Sequence, residues 1–195
     1  MVAIRYRTQS EWRVVMVGQS RANYPASGNW PELLMRGRKV PWQNLCIDAA
    51  PWATLYPDAP ADVFPQAGLP SVGSVLIMQG GETDVALGSS AATVYGLMSD
   101  YAVDAKAAGF TDVVAMTMPP FPSFTGGQDT VRESLNSLIV ADADGSFDYV
   151  VDIAANVDLD STGPNTWWDE NGHPTDVGAA LIKSLLAPTL DLILP

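Results

Sequence analysis

The side chains able to do nucleophilic chemistry in this sequence are few, and they lie far apart along the chain. Ser20 follows the apolar run Trp12-Arg13-Val14-Val15-Met16-Val17 and Gly18. A serine between a strand end and a helix presents its hydroxyl over the sheet edge, near a positive helix dipole; a turn or cap serine fits the same position. His173, the sole histidine, lies in Trp167-Trp168-Asp169-Glu170-Asn171-Gly172-His173-Pro174-Thr175. In a tight turn leading into a helix, either upstream carboxylate, Glu170 or Asp169, can accept from the imidazole Nδ1–H and orient the ring as a general base. Read alone, the same histidine is a surface or structural residue. In Gln79-Gly80-Gly81-Glu82-Thr83-Asp84 the paired glycines let backbone N–H groups approach a ligand closely, although an ordinary glycine turn capped by Thr83 or Asp84 has the same appearance. Together they are the residue types that acyl transfer would need: a nucleophile, a base and donors for an oxyanion.

These groups can meet only if the elements before them are strands of one parallel sheet, whose ligand crevice lies outside the strand carboxyl ends. Short runs rich in Val, Ile and Met alternate with helical segments, which is the pattern of a parallel sheet covered on both faces. The runs predict strands over 12–17, 43–47, 74–79, 111–117 and 149–153. Helices are predicted from the Asn29 cap to Met35, over 90–108, over 130–140, and from Thr175-Asp176 to about Leu186. The expected fold is a three-layer α/β/α sandwich around a central, mostly parallel five-stranded sheet. Residues 51–72 carry five prolines and read as a long ordered loop.

Composition bounds the partners. At 195 residues and 47% hydrophobic, the chain makes one domain over 1–195. A net charge of −12 and a pI near 4.2 argue against nucleic acid and anionic lipid, because both bind through Lys and Arg. Seven of the ten basic residues fall between Arg5 and Lys39, and the acidic remainder favours a neutral or weakly polar substrate. One cysteine, Cys46, and one histidine cannot assemble a Cys/His zinc site, and Cys46 reads as a structural thiol in the run Leu45-Cys46-Ile47. No apolar run suits a membrane span or a signal peptide, so the expectation is a protein acting where it is made, or a mature or excised form.

The segments resemble the blocks of the SGNH (GDSL-like) hydrolases from Val14 to about Ala187. Gly18-Gln19-Ser20 stands where that family has Gly-Asp-Ser, and the GQS form looks like the branch with sialate and acetylxylan esterases. Asn44 to Ala50 resembles the second block, Gly81-Glu82-Thr83-Asp84 the third, and Glu170-Asn171-Gly172-His173-Pro174 the last. The resemblance implies a flavodoxin-like SGNH fold and a serine esterase that needs no metal and no organic cofactor. Ser20 would be the nucleophile and His173 the base, with Glu170 favoured on spacing as the acid and Asp169 as its alternate. Ala49 stands at the family's oxyanion glycine, and Thr83 at its oxyanion asparagine, with Gln79 as a substitute donor beside Gly81. Trp167 and Trp168 would stack on a sugar ring or wall an acyl pocket, and simple packing tryptophans fit at least as well; the GQS form, the tryptophan pair and the loop prolines together favour a small-molecule or carbohydrate ester with a short acyl group. Arg21 stands where that branch has asparagine. Because Ala49 and Thr83 depart from the family, the rival expectation is a non-catalytic carbohydrate-binding or structural module on the same fold.

Overall fold

Every second residue along the central strands is apolar toward the same side, and this alternation divides the core into two halves. The structure, a computed structural model, describes residues 12–25, 27–55, 73–161 and 163–195. Among these, five strands make one all-parallel sheet: β1 (Trp12–Val17), β2 (Trp42–Asn44), β3 (Gly73–Met78), β4 (Asp112–Met116) and β5 (Tyr149–Val151), in the order β2-β1-β3-β4-β5. Val14, Met16, Val75, Ile77, Val114 and Met116 face one layer, formed by α1 (Trp30–Met35) and α5 (Asp176–Ile193). Val15, Val17, Leu76, Met78, Val113 and Ala115 face the other, where α2 (Glu82–Ala86), α3 (Ala91–Ala107) and α4 (Gly126–Ala141) pack. This is the expected α/β/α sandwich, and its strand order places the topological switch point between β1 and β3.

The cap signals act where the sequence put them. Asn29 accepts from Glu32 N, Ser90 from Thr93 N, and Thr175 from Gly178 N. β5 ends at Val151 rather than 153, where a 3₁₀ turn begins, and three larger differences each have a local reason. α4 starts about a turn earlier, because Thr125 and Gln128 form a capping box ahead of two glycines that alone read as loop. α5 runs on through Pro188 to Ile193: the missing proline N–H is tolerated because Leu190 and Ile193 are buried against the sheet. β2 spans only Trp42–Asn44, since the Asn44 side chain accepts from Cys46 N and turns the chain off the edge. A helical turn covers 52–55, and the rest of the proline-rich segment lies outside the described residues. No helix among the described residues is long and apolar enough to cross a membrane.

Leu186 is fully buried between α5 and the sheet. Leu186→Ala is expected to cost about 2–5 kcal/mol with an unchanged m-value in urea denaturation, because the layer cannot collapse onto the cavity.

Candidate active site

At the switch point the carboxyl ends of β1 and β3 approach so closely that only glycine fits between them. A Cβ on Gly18, whose φ is +148°, would lie 1.7 Å from the carbonyl oxygen of Gln79. The chain then turns through one 3₁₀ turn, Ser20–Ala22, which carries the Ser20 hydroxyl out over the sheet edge. His173 reaches the same point from the turn before α5, and Ser20 Oγ and His173 Nε2 share a hydrogen bond of 3.0 Å across 153 residues of chain.

The turn that presents His173 is closed by backbone bonds. Asp169 N donates to His173 O at 2.9 Å and Gly172 N to Asp169 O at 3.2 Å, while Trp168 and Pro174 form an antiparallel bridge. Closure puts Asp169, not Glu170, beside the ring. Asp169 Oδ1 accepts from the N–H groups of Asn171 and His173, both at 2.8 Å, and its Oδ2 lies 3.8 Å from His173 Nδ1. That separation is within ion-pair reach of a charged imidazole and longer than a hydrogen bond. Glu170 is exposed at the turn apex, so the spacing that favoured it does not survive folding: residues four apart, rather than three, face each other across this turn.

Ala49 occupies the left-handed region at φ +56°, the conformation a glycine would adopt freely, and lies exposed in the turn after β2. Two asparagines hold that turn. Asn23 Nδ2 donates to Asp48 Oδ1 at 2.7 Å and to Cys46 O at 3.2 Å, and Asn44 Nδ2 donates to Ala22 O at 3.2 Å. Thr83 is half-buried; its N–H donates to Gln19 Oε1 at 3.2 Å, and its hydroxyl makes no hydrogen bond among the described residues. Gln79 is buried, and one N–H of its Nε2 is given to Glu82 Oε1 at 3.1 Å. Gly81 caps α2, and a Cβ there would meet Leu135 and Val94 of the helix layer. The half-buried Cys46 has its thiol pushed far up by desolvation, as a structural thiol would.

The tryptophan pair divides. Trp168 is 1% exposed, donates from Nε1 to Leu159 O, and has the Arg21 guanidinium 4.5 Å from its ring centroid. Its face is therefore not open to a sugar. Trp167 is half-buried against the same core half.

Four residues that sequence reasoning did not assign complete the frame. Arg21, 3% exposed, donates to Gly172 O at 3.0 Å, Pro119 O at 2.9 Å and Pro120 O at 2.6 Å, and pairs with Glu82 at 3.5 Å. Burial lowers its guanidinium from 12.5 to about 10, opposed by the Glu82 charge. Burial likewise raises the Glu82 carboxyl above its ordinary 4.5, opposed by Arg21. Gln19 spans three loops, with Nε2 donating to Ala50 O at 2.7 Å and to Asp84 Oδ2 at 3.3 Å besides the Thr83 contact; Asp84 Oδ2 also accepts from Trp52 N at 3.0 Å. A basic residue directly after the serine, with Glu82 and Asp84 as acids in the glycine turn, was the available signal for the Arg21–Glu82 pair.

No protein-family model matches the sequence, and no curated protein matches it. Solved structures do match. A member of the lipolytic protein G-D-S-L family from Veillonella parvula aligns with a TM-score of 0.75 at 16% identity, covering 92% of this chain and 98% of that one. A GDSL-like lipase from Bacteroides thetaiotaomicron gives 0.73 at 17% identity over 98% and 94% of the two chains. A variant of a Geobacillus acetyl-xylooligosaccharide esterase gives 0.71 at 12% identity over 92% and 94%. At these identities the likeness is one of fold.

Arg21→Met would leave Glu82 buried without its counter-charge and is expected to cost about 3–5 kcal/mol at neutral pH. The sign of its pH dependence follows from Glu82 being raised. Below 4.5 the folded and unfolded chains both hold the proton; above it the unfolded chain releases a proton that the folded chain retains. Arg21 opposes that rise, so the variant's folded chain keeps the proton to higher pH than the wild type's, and the deficit should grow as pH rises through the range where the wild-type Glu82 ionises, above 4.5, measured by urea denaturation of both proteins at each pH.

Proposed function

We propose that this chain, which has the fold of G-D-S-L lipolytic hydrolases along nearly its whole length, is a serine esterase of the SGNH type acting through an acyl-enzyme. The observation that carries the reading is the 3.0 Å contact between Ser20 Oγ and His173 Nε2, with the Asp169 carboxylate on the far side of the same ring. A neutral imidazole carrying its proton on Nδ1, toward Asp169, leaves Nε2 free to take the serine proton as Oγ attacks the ester carbonyl. The imidazolium then returns that proton to the leaving alcohol, and Asp169 stabilises the charge. Water enters by the same route and releases the acid.

The oxyanion would be held by the N–H groups of Ser20 and Ala49, neither of which has a hydrogen-bond acceptor among the described residues, together with the Thr83 hydroxyl. The Thr83 hydroxyl would supply the contact that elsewhere comes from an asparagine amide. The two solved relatives named for acetylated xylooligosaccharides and for carbohydrate esters support short acyl groups on a carbohydrate as the substrate class. The competing reading, a carbohydrate-binding module without catalysis, has the departures at Ala49 and Thr83 in its favour. The intact contact between the nucleophile and the base weighs against it.

Hydrolysis of p-nitrophenyl acetate tests the proposal. Ser20→Ala should lower kcat/KM by at least about 10³-fold, and a fluorophosphonate probe should label wild type but not Ser20→Ala. Wild type with neither turnover nor labelling would support the binding module. The assignment of the acid has its own test: Asp169→Asn should reduce kcat by about 10²-fold or more, while Glu170→Gln stays within about 3-fold of wild type.

A further inference from the structure

One contact at the site belongs to none of these roles. The ring of Tyr24 lies flat against that of His173, with centroids 4.2 Å apart and planes inclined by 20°. Tyr24 is four residues after Ser20, just beyond the 3₁₀ turn Ser20–Ala22. Asn23, bonded to Asp48 and to Cys46 O, pins the point from which the phenol ring folds back over the imidazole. One short segment therefore carries the nucleophile and covers the base. Core packing does not dictate this placement, because Tyr24 is 36% exposed.

A parallel aromatic contact has two physical consequences for an imidazole. It blocks rotation of the ring about its Cβ–Cγ bond while leaving both nitrogen edges open, here toward Ser20 and Asp169. The face of a phenol ring also carries negative potential, so it attracts a cationic partner more strongly than a neutral one. We infer that Tyr24 is a positioning residue for the base: its ring holds the His173 imidazole in the plane that joins Ser20 to Asp169 and favours the imidazolium formed during acyl transfer. The inference rests on the reading of His173 as the general base.

The charged groups around the imidazole come from several elements. Asp169 faces it from its own turn, the Glu82 charge acts on it from the first turn of α2, and Arg21 bonds the carbonyl of the preceding residue, Gly172. Asp176 at the head of α5 is turned onto Ser27 Oγ at 2.7 Å. Tyr24 brings no formal charge at neutral pH, so replacing it leaves this set intact and isolates the effect of the ring.

Tyr24→Leu keeps apolar bulk and removes the π face; Tyr24→Phe keeps the face and removes the hydroxyl. Because the chain has one histidine, its imidazole proton resonances can be titrated by NMR without assignment, whether or not an ester is turned over. Tyr24→Leu should move the titration midpoint to lower pH by about 0.5–1 unit and reduce kcat on p-nitrophenyl acetate by about 3- to 10-fold with little change in KM, while Tyr24→Phe restores most of both. A leucine variant that titrates like wild type, or a phenylalanine variant that shifts as far as leucine, would overturn the inference. Wild type that shows the ring effect by NMR but hydrolyses no ester would count against the esterase reading and leave the role of the stack standing.

Discussion

The geometry of the site depends on one buried cation. Arg21 directly follows the serine, and its guanidinium is bonded to carbonyls of the turn after β4 and of the turn before α5, with Glu82 from the turn after β3 alongside. Removing a charge from water is expensive, and the ion pair at 3.5 Å does not by itself offset that expense. Three carbonyl acceptors and the faces of Trp168 and Phe121, at 4.5 and 5.0 Å, complete the compensation. The three carbonyls come from two loops, so the cation ties both of them, and through Glu82 the turn after β3, to the residue next to the serine. The 3.0 Å distance between Ser20 and His173 is a consequence of that arrangement.

A second set of polar side chains does the same for the opposite wall. Gln19 bonds to the chain at Ala50 and at Thr83 and to the Asp84 carboxylate, which in turn holds Trp52 N. Asn23 and Asn44 tie the turn at Ser20 to the segment after β2. The site is therefore framed on both sides by hydrogen bonds, all but the exposed Asn23–Asp48 bond buried or half-buried, while the apolar core beneath supplies rigidity but no direction.

Some departures from local preference lie in this frame. Ala49 sits at φ +56°, a conformation that costs a residue with a Cβ about 1–2 kcal/mol. Buried oxygens of Gln79, Glu82 and Asp84 have no hydrogen-bond partner among the described residues. Others lie elsewhere: Asp142 closes α4 at φ +37°, and buried guanidinium nitrogens of Arg13, near the start of β1, have no hydrogen-bond partner among the described residues.

Much of this protein was legible before any coordinates. The alternation of apolar runs with helical segments determined the layered parallel sheet, because strands buried on both faces must be continuously apolar, and the caps at Asn29, Ser90 and Thr175 acted locally as their side-chain chemistry requires. Ser20 and His173 could be singled out because each stands directly after a strand or before a helix, where a parallel sheet opens its crevice. Which of Asp169 and Glu170 faces the imidazole was beyond sequence, since that depends on how one turn closes its backbone hydrogen bonds. So was the fate of Trp168, which became a wall for Arg21 because the guanidinium needed a desolvated partner. The roles of Arg21, Glu82, Gln19 and Tyr24 are contacts between residues up to 151 positions apart, and no local pattern encodes which distant carbonyl or ring a side chain will meet. Periodicity and capping act within one element and are therefore written in its sequence; the pairing of polar groups across loops is decided only when the sheet brings those loops to the same edge.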